Sequence, residues 1–177
     1  MLRKVEVVPP RPEWPGLFTA EAERLRTVFG SKVVAIHHIG STAISGIHAK
    51  PIIDILLVVK DIEKVDEYNP AMINLGYEPR GEFGIPGRRF FRREVEGVRT
   101  HHVHAFQDGH ADVERHLAFR DYLNAHPQEA EAYSILKQEL AKQYPTDIEG
   151  YMDGKDAFIK EIERKARLWR ENQHPGS

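Results

Sequence analysis

Lys32-Val33-Val34-Ala35-Ile36-His37-His38-Ile39-Gly40-Ser41-Thr42 and, past a short connection, Lys50-Pro51-Ile52-Ile53-Asp54-Ile55-Leu56-Leu57-Val58-Val59 read as a strand, a tight turn and a second strand. The second strand is an almost unbroken apolar run, as expected of a strand covered on both faces. Asp54 is the single charge inside that run. An ionised carboxylate in such a place needs a cation, hydrogen-bond donors or a metal beside it. Lys50 is a candidate partner for a purely structural salt bridge. The functional alternative makes Asp54 a catalytic carboxylate or metal ligand at the bottom of a cleft. Gly40-Ser41 sharpens this alternative. A glycine after a strand lets the backbone approach a ligand closely. Ser41 and Thr42, at the start of a helical turn, offer hydroxyls and free N–H groups to an anion.

Outward from this pair, the periodicity sets the fold class. The run Pro9-Pro10-Arg11-Pro12-Glu13-Trp14-Pro15 opposes helix, because proline fixes φ and restricts its predecessor. A helix is predicted from about Pro15 to Gly30, with Phe18, Ala22, Leu25 and Phe29 on one face. Asp61 is the expected N-cap of a second helix, interrupted near Asn69-Pro70 and ended by Gly76. Tyr77–Arg80, Arg88–Glu94 and Arg99–Phe106 read as strands, the last two joined at Glu96-Gly97. The rest is helical. Its apolar stripes are Val113/His116/Phe119/Leu123, then Ala132/Ile135/Leu136/Leu140, then Phe158/Ile159/Ile162/Ala166/Trp169, with Tyr151 and Lys155 in the turn before the last helix. The tail from Gln173 is expected to fray. The prediction is an α+β protein: a small mixed sheet flanked by helices, with a helical C-terminal third. We expect one domain over 1–177, with a sheet core at about 15–108 and a helical part at about 109–172.

Composition narrows the partners. The hydrophobic share is 41% and the charged share 29%, ordinary for a globular chain. A formal net charge of −2 gives no global attraction to nucleic acid or anionic membrane. No apolar run is long enough to span a bilayer. Met1-Leu2-Arg3-Lys4-Val5-Glu6 lacks the apolar run of a secretory signal, so a cytoplasmic location is expected. With no cysteine, disulfides, zinc-thiolate sites and cysteine nucleophiles are excluded. One local excess stands out. Arg80, Arg88, Arg89, Arg92, Arg93 and Arg99 outnumber Glu82, Glu94 and Glu96, which reads as a solvated hairpin face or as a site for a phosphate or carboxylate.

His102 and His104 lie two apart on a strand and so share a face. If that strand adjoins Asp54, the three residues make a two-histidine, one-carboxylate cluster suited to a transition metal. The metal-free alternative has one histidine bonding Asp54 and another the backbone. Phe106 stands where a third alternating histidine would be needed for a histidine-triad hydrolase. The helical content opposes a cupin barrel built on His102, His104 and Asp108. His38 is a candidate supporting partner for the site. Arg120 and His116 lie on or beside an apolar stripe, where Arg120 can face the cleft or cover core with its stem.

His38-Ile39-Gly40-Ser41-Thr42, followed by Lys50-Pro51-Ile52-Ile53-Asp54-Ile55, resembles the GrpB family of the nucleotidyltransferase-fold superfamily. Glu13-Trp14-Pro15, His101-His102-Val103-His104 and Phe119-Arg120-Asp121-Tyr122-Leu123 before His126-Pro127 agree with it, so the resemblance runs from about Val8 to Trp169. It implies a nucleotidyltransferase-like fold with a cleft at Gly40-Ser41 and Asp54. Active nucleotidyltransferases follow Gly-Ser with Asp-hydrophobic-Asp/Glu, whose two carboxylates hold Mg²⁺ against the phosphates of a nucleoside triphosphate. Here Leu56 stands at the second carboxylate. The expectation is a protein that takes a nucleotide or other phosphate-bearing small molecule, with Asp54 catalytic. Gly40, Ser41, Thr42, Lys50, Arg88, Arg89 and Arg120 are the expected ligand contacts. A divalent metal (Mg, Mn or Zn) is expected on Asp54, His102 and His104. Two alternatives stand beside it: a catalytically diminished member that binds a small ligand or protein, and a transition-metal-dependent hydrolase.

Overall fold

In the computed structural model, which describes residues 3–173, the apolar run after Pro51 is an interior strand of a five-stranded sheet. The expected frayed tail beyond Gln173 lies outside the described residues. The strands are β1 (Val33–Ile39), β2 (Ile53–Val59), β3 (Tyr77–Pro79), β4 (Arg88–Val95) and β5 (Val98–Gln107). Their order across the sheet is β1-β2-β5-β4-β3. β2 and β5 run parallel, and the other neighbours pair antiparallel, so the sheet is mixed.

Burial on both faces of β2 follows from which helices cover the sheet. Helices α1 (Trp14–Phe29) and α2 (Asn69–Asn74) bury one face against Ile53, Ile55, Leu57, Val59, Val103 and Ala105. Trp14 is part of this core. The opposite face carries Leu56, Val58 and Phe106, packed against Val113 and Leu117 of α3 (Ala111–Ala125). That cover stops short of Asp54, which lies on the same face as Leu56 by the two-residue period of a strand. The open end of the face is the floor of a cleft. Its far wall comes from α4 (Pro127–Gln143) and α5 (Ile148–Gln173). These helices pack on α3 through Tyr122, Leu123, Tyr133, Ile162 and Ala166, with Ile44 and Ile47 joining them to the turn after β1. Among the described residues, no helix is long and apolar enough to cross a membrane.

Two elements depart from their expected form. The segment after Asp61 is not one interrupted α-helix. A 3-10 helix over Ile62–Tyr68 gives way to the short α2, whose first turn contains Pro70. Proline has no N–H to give the preceding turn but is tolerated in a first turn, so a new helix begins there. Asp61 caps as expected, accepting a bond from the Glu63 N–H at 3.1 Å. The second departure is α5, which begins at Ile148, so Tyr151 and Lys155 sit in its opening turns and not before it. Gly150 and Gly154 are poor helix formers in isolation. Here Gly154 is needed for packing, since a Cβ on it would collide with Leu140 of α4.

Candidate ligand-binding site

The parallel pairing of β2 with β5 sets the site. Its register places Asp54 opposite His102 and Leu56 opposite His104. Asp54 Oδ1 lies 3.4 Å from His102 Nδ1 and 3.3 Å from His104 Nε2. Burial pushes the Asp54 carboxyl up, but the hydrogen bonds and charges of His102 and His104 outweigh it and hold the group well below the usual carboxylate range. The structural partner anticipated for Asp54, Lys50, forms no ion pair with it among the described residues; the imidazoles of His102 and His104 stand against the carboxylate instead.

Gly40 closes the other side. It adopts φ +74° and ψ −173°, a region open essentially to glycine. A Cβ on residue 40 would stand 2.5 Å from Asp54 Oδ2. The 3-10 turn Ser41–Ala43 follows directly. Thr42 is buried, 2.8 Å from His38 Nε2, and its hydroxyl donates to the Ile52 carbonyl, so it ties the turn to β1 and β2. His38 therefore supports Thr42 and not Asp54. Its imidazole is lowered to about 4, by burial first and by Arg120 against the opposing pull of Asp54.

A cleft of about 540 Å³ opens above this turn. Ser41, Thr42, Lys50, Asp54 and His102 line it, together with Lys137 of α4 and Tyr151, Met152 and Lys155 of α5. Lys137 is 1% exposed, and its Nζ has no hydrogen-bond partner among the described residues. The Lys137 ammonium lies 4.4 Å above the Tyr133 ring, while Lys50 and Lys155 lie 4.7 and 4.8 Å from the Tyr151 ring. Burial, then the neighbouring Lys155, lowers Lys137 to about 7. Burial, then Lys50, lowers Lys155 to about 8 against the pull of Asp54. Lys50 is lowered by burial too. Ion-paired lysines among the described residues are Lys160 with Asp156 and Lys165 with Glu129; none of the cleft lysines joins such a pair. The cleft is thus lined by more cations (Arg3, Lys4, Lys50, Arg99, Lys137 and Lys155) than carboxylates (Glu6 and Asp54), a setting that attracts an anion.

The arginines expected to contact a ligand are engaged elsewhere. Arg88 and Arg89 are neighbours on a strand and point to opposite faces. Buried Arg88 donates to the Glu82 and Phe83 carbonyls at 3.2 and 2.9 Å and faces His104 Nδ1 at 3.3 Å. Arg89 pairs with Asp66 at 2.8 Å. Neither lines the cleft. Arg120 donates to the His38 carbonyl at 3.1 Å and to Asp121 at 2.9 Å, clasping α3 to β1. The basic stretch is largely neutralised: Arg80 and Arg92 pair with Glu78, Arg93 with Glu21 and Arg99 with Glu94. Of the expected cationic contacts Lys50 lines the cleft, while Lys137 and Lys155, which also line it, were not among the expected contacts.

Whether Asp54, His102 and His104 suit a metal turns on the atoms behind them. Their ligand atoms lie within 4.8 Å of one another, close enough for one ion. A metal-bound histidine donates its other ring N–H to an acceptor. Behind His104 Nδ1 stands the Arg88 guanidinium, a donor only. Behind His102 Nε2 there is no hydrogen-bond partner among the described residues. The consistent assignment has Arg88 donating to His104 Nδ1 and His104 Nε2–H donating to Asp54. The donor set suits a metal in composition but not in its support. It does not suit Mg²⁺ either, because Leu56 is fully buried among Ile39, Val58 and Phe106.

The fold is that of a nucleotidyltransferase-like α+β protein. The structure of Cid1 in complex with its short product ApU superposes at a TM-score of 0.53, with 12% identity over 77% of this chain and 43% of that one. That likeness is one of fold alone. A family described as GrpB protein matches residues 4–165, and the chain belongs to the GrpB family. The crystal structure of the conserved protein GrpB from Enterococcus faecalis matches at a TM-score of 0.88 and 44% identity, over 93% of this chain and 99% of that one. The UPF0157 protein YqkA of Bacillus subtilis is 48% identical over 97% of this chain but only 50% of its own length. The chain thus spans half of that relative. A segment of the dephospho-CoA kinase of Mycolicibacterium paratuberculosis is 28% identical, over 93% of this chain and 46% of that protein.

Proposed function

We propose that the chain binds a nucleotide or another phosphorylated small molecule in the cleft over Gly40-Ser41 and Asp54. The observation that carries this reading is the convergence of Lys50, Lys137 and Lys155 on one cleft with Ser41, Thr42 and Asp54. A lysine as buried as Lys137, with its amine unpartnered, is costly to keep unless an anion meets it. The Gly-Ser turn adds backbone N–H groups and a hydroxyl beside those amines. The likeness to part of a dephospho-CoA kinase agrees with phosphorylated-ligand chemistry without assigning that enzyme's reaction to this chain.

One specific observation favours binding without nucleotidyl transfer as the second reading. Leu56 fills the second carboxylate position with core packing, so the Mg²⁺ clamp of a two-carboxylate transferase has no place to form. A thermal-shift and equilibrium-dialysis screen of nucleotides, sugar phosphates and phosphorylated cofactors tests the proposal. We expect saturable binding that competes with other phosphorylated ligands and is lost in Lys155→Glu. Absence of binding across the screen, with and without divalent metal, would contradict it.

A further inference from the structure

We propose that the cleft holds the polyphosphate end of its ligand directly on lysine amines, with Lys50, Lys137 and Lys155 in the place of a bridging metal ion. This rests on the phosphorylated-ligand reading and goes beyond it by naming the ligand's charge and the way that charge is met. A di- or triphosphate carries several negative charges, and they must be met by cations at close range. In two-carboxylate transferases, Mg²⁺ held on the protein does this. Here both parts of that arrangement are replaced. Leu56 is sealed in an apolar cluster where the second carboxylate would stand. The carboxylate that remains, Asp54, already receives its donors from His102 and His104.

The lysines have the complementary properties. Three of them line one cleft, from the turn before β2, from α4 and from α5. The amine of Lys137 is buried without a partner among the described residues, which leaves its hydrogen-bond donors for a ligand. Lys50 and Lys155 both stand against the Tyr151 ring, and neither joins an ion pair among the described residues. Gly154 lets α5 close onto Leu140 of α4, one turn from Lys137, and so brings the helix bearing Lys155 against the helix bearing Lys137. Three amines from three separate elements can meet several phosphate oxygens at once, more than a single monophosphate presents.

The test is calorimetric titration of the whole chain with AMP, ADP, ATP and inorganic tripolyphosphate. Each is run in buffer stripped of metal by chelating resin, then with added Mg²⁺, Mn²⁺ or Zn²⁺. We expect binding in the stripped buffer that tightens at least about tenfold from AMP to ATP. Lys137→Met and Lys155→Gln should each weaken ATP binding by about tenfold or more, and Arg89→Gln should leave it unchanged. Lys155→Gln, at a less buried position, keeps the test decisive if Lys137→Met folds poorly. Tripolyphosphate matching ATP assigns the recognition to the phosphates alone; ATP much tighter assigns the rest of the ligand a share, and both support the proposal. Binding that appears only with added metal, or lysine variants that bind as wild type does, overturns it and leaves the cleft reading intact. No binding of any phosphorylated compound in either buffer overturns both.

Discussion

Arg88 Nη1 stands 3.3 Å from His104 Nδ1, on the far side of the imidazole from Asp54. Because a guanidinium only donates, this contact fixes His104 as a donor to the carboxylate and removes the acceptor that a metal-bound histidine needs behind it. Protein purified without a histidine tag should therefore carry less than about 0.1 transition metal per chain by elemental analysis. Arg88→Gln puts a carbonyl acceptor within reach of His104 and should raise Zn²⁺ affinity by about tenfold or more. Stoichiometric metal in the wild-type protein would contradict this arrangement.

Gly40 and Asp54 are in contact through the space a side chain would occupy. In Gly40→Ala the new Cβ meets Asp54 Oδ2 at 2.5 Å and the residue is held at φ +74°. We expect a loss of roughly 2–4 kcal/mol in chemical denaturation, from strain and displacement together, along with loss of ligand binding. A variant as stable as wild type would show that the turn relaxes without cost.

Lys137 makes stability depend on pH in a direction that can be worked out. Burial lowers its folded pKa to about 7, below its ordinary value, so the unfolded chain binds more protons between the two. The destabilisation it causes is full below about pH 7 and fades as pH rises toward the ordinary lysine range. Lys155, lowered to about 8, adds in the same sense. Lys137→Met keeps the contact with Tyr133 and removes the buried charge. It should be more stable than wild type by on the order of 1–3 kcal/mol near pH 6, with the gap closing by about pH 10. Thermal melts across this range check the sign; a gap that widens with pH would be the opposite result.

Leu56→Asp restores the two-carboxylate sequence pattern and should nevertheless fail to create an active site. The new carboxylate would enter the cluster of Ile39, Val58 and Phe106. A loss of roughly 3–5 kcal/mol is expected for an unpaired buried charge. A folded Leu56→Asp protein with Mg²⁺-dependent nucleotidyl transfer would contradict the assignment of Leu56 to the core.

How much of this was legible in the sequence differs by element. The interior strand and Asp54 were, because a lone charge in a doubly buried run has few explanations and the Gly-Ser turn constrains them further. The pairing of Asp54 with His102 and His104 followed from the period of a strand once β5 was placed beside β2. The same period separates Arg88 from Arg89, a signal present in the sequence that the excess of local charge obscured. Lys137 and Lys155 were not legible as site residues. Lys137 looks like a solvated position on a helix and Lys155 like part of a turn, and only packing brings both to the cleft. Lys155 was expected in a turn before the last helix, whereas it lies within α5, whose Gly154 packs closely on Leu140.

The most direct test of the central claim is a crystal structure of the chain soaked with a non-hydrolysable nucleoside triphosphate. The claim predicts phosphate density in the cleft between Ser41 and the amines of Lys137 and Lys155, with those amines within hydrogen-bond distance of phosphate oxygens. A triphosphate bound instead at the Arg88–Arg89 hairpin, or a cleft that stays free of phosphate at saturating ligand, would contradict it.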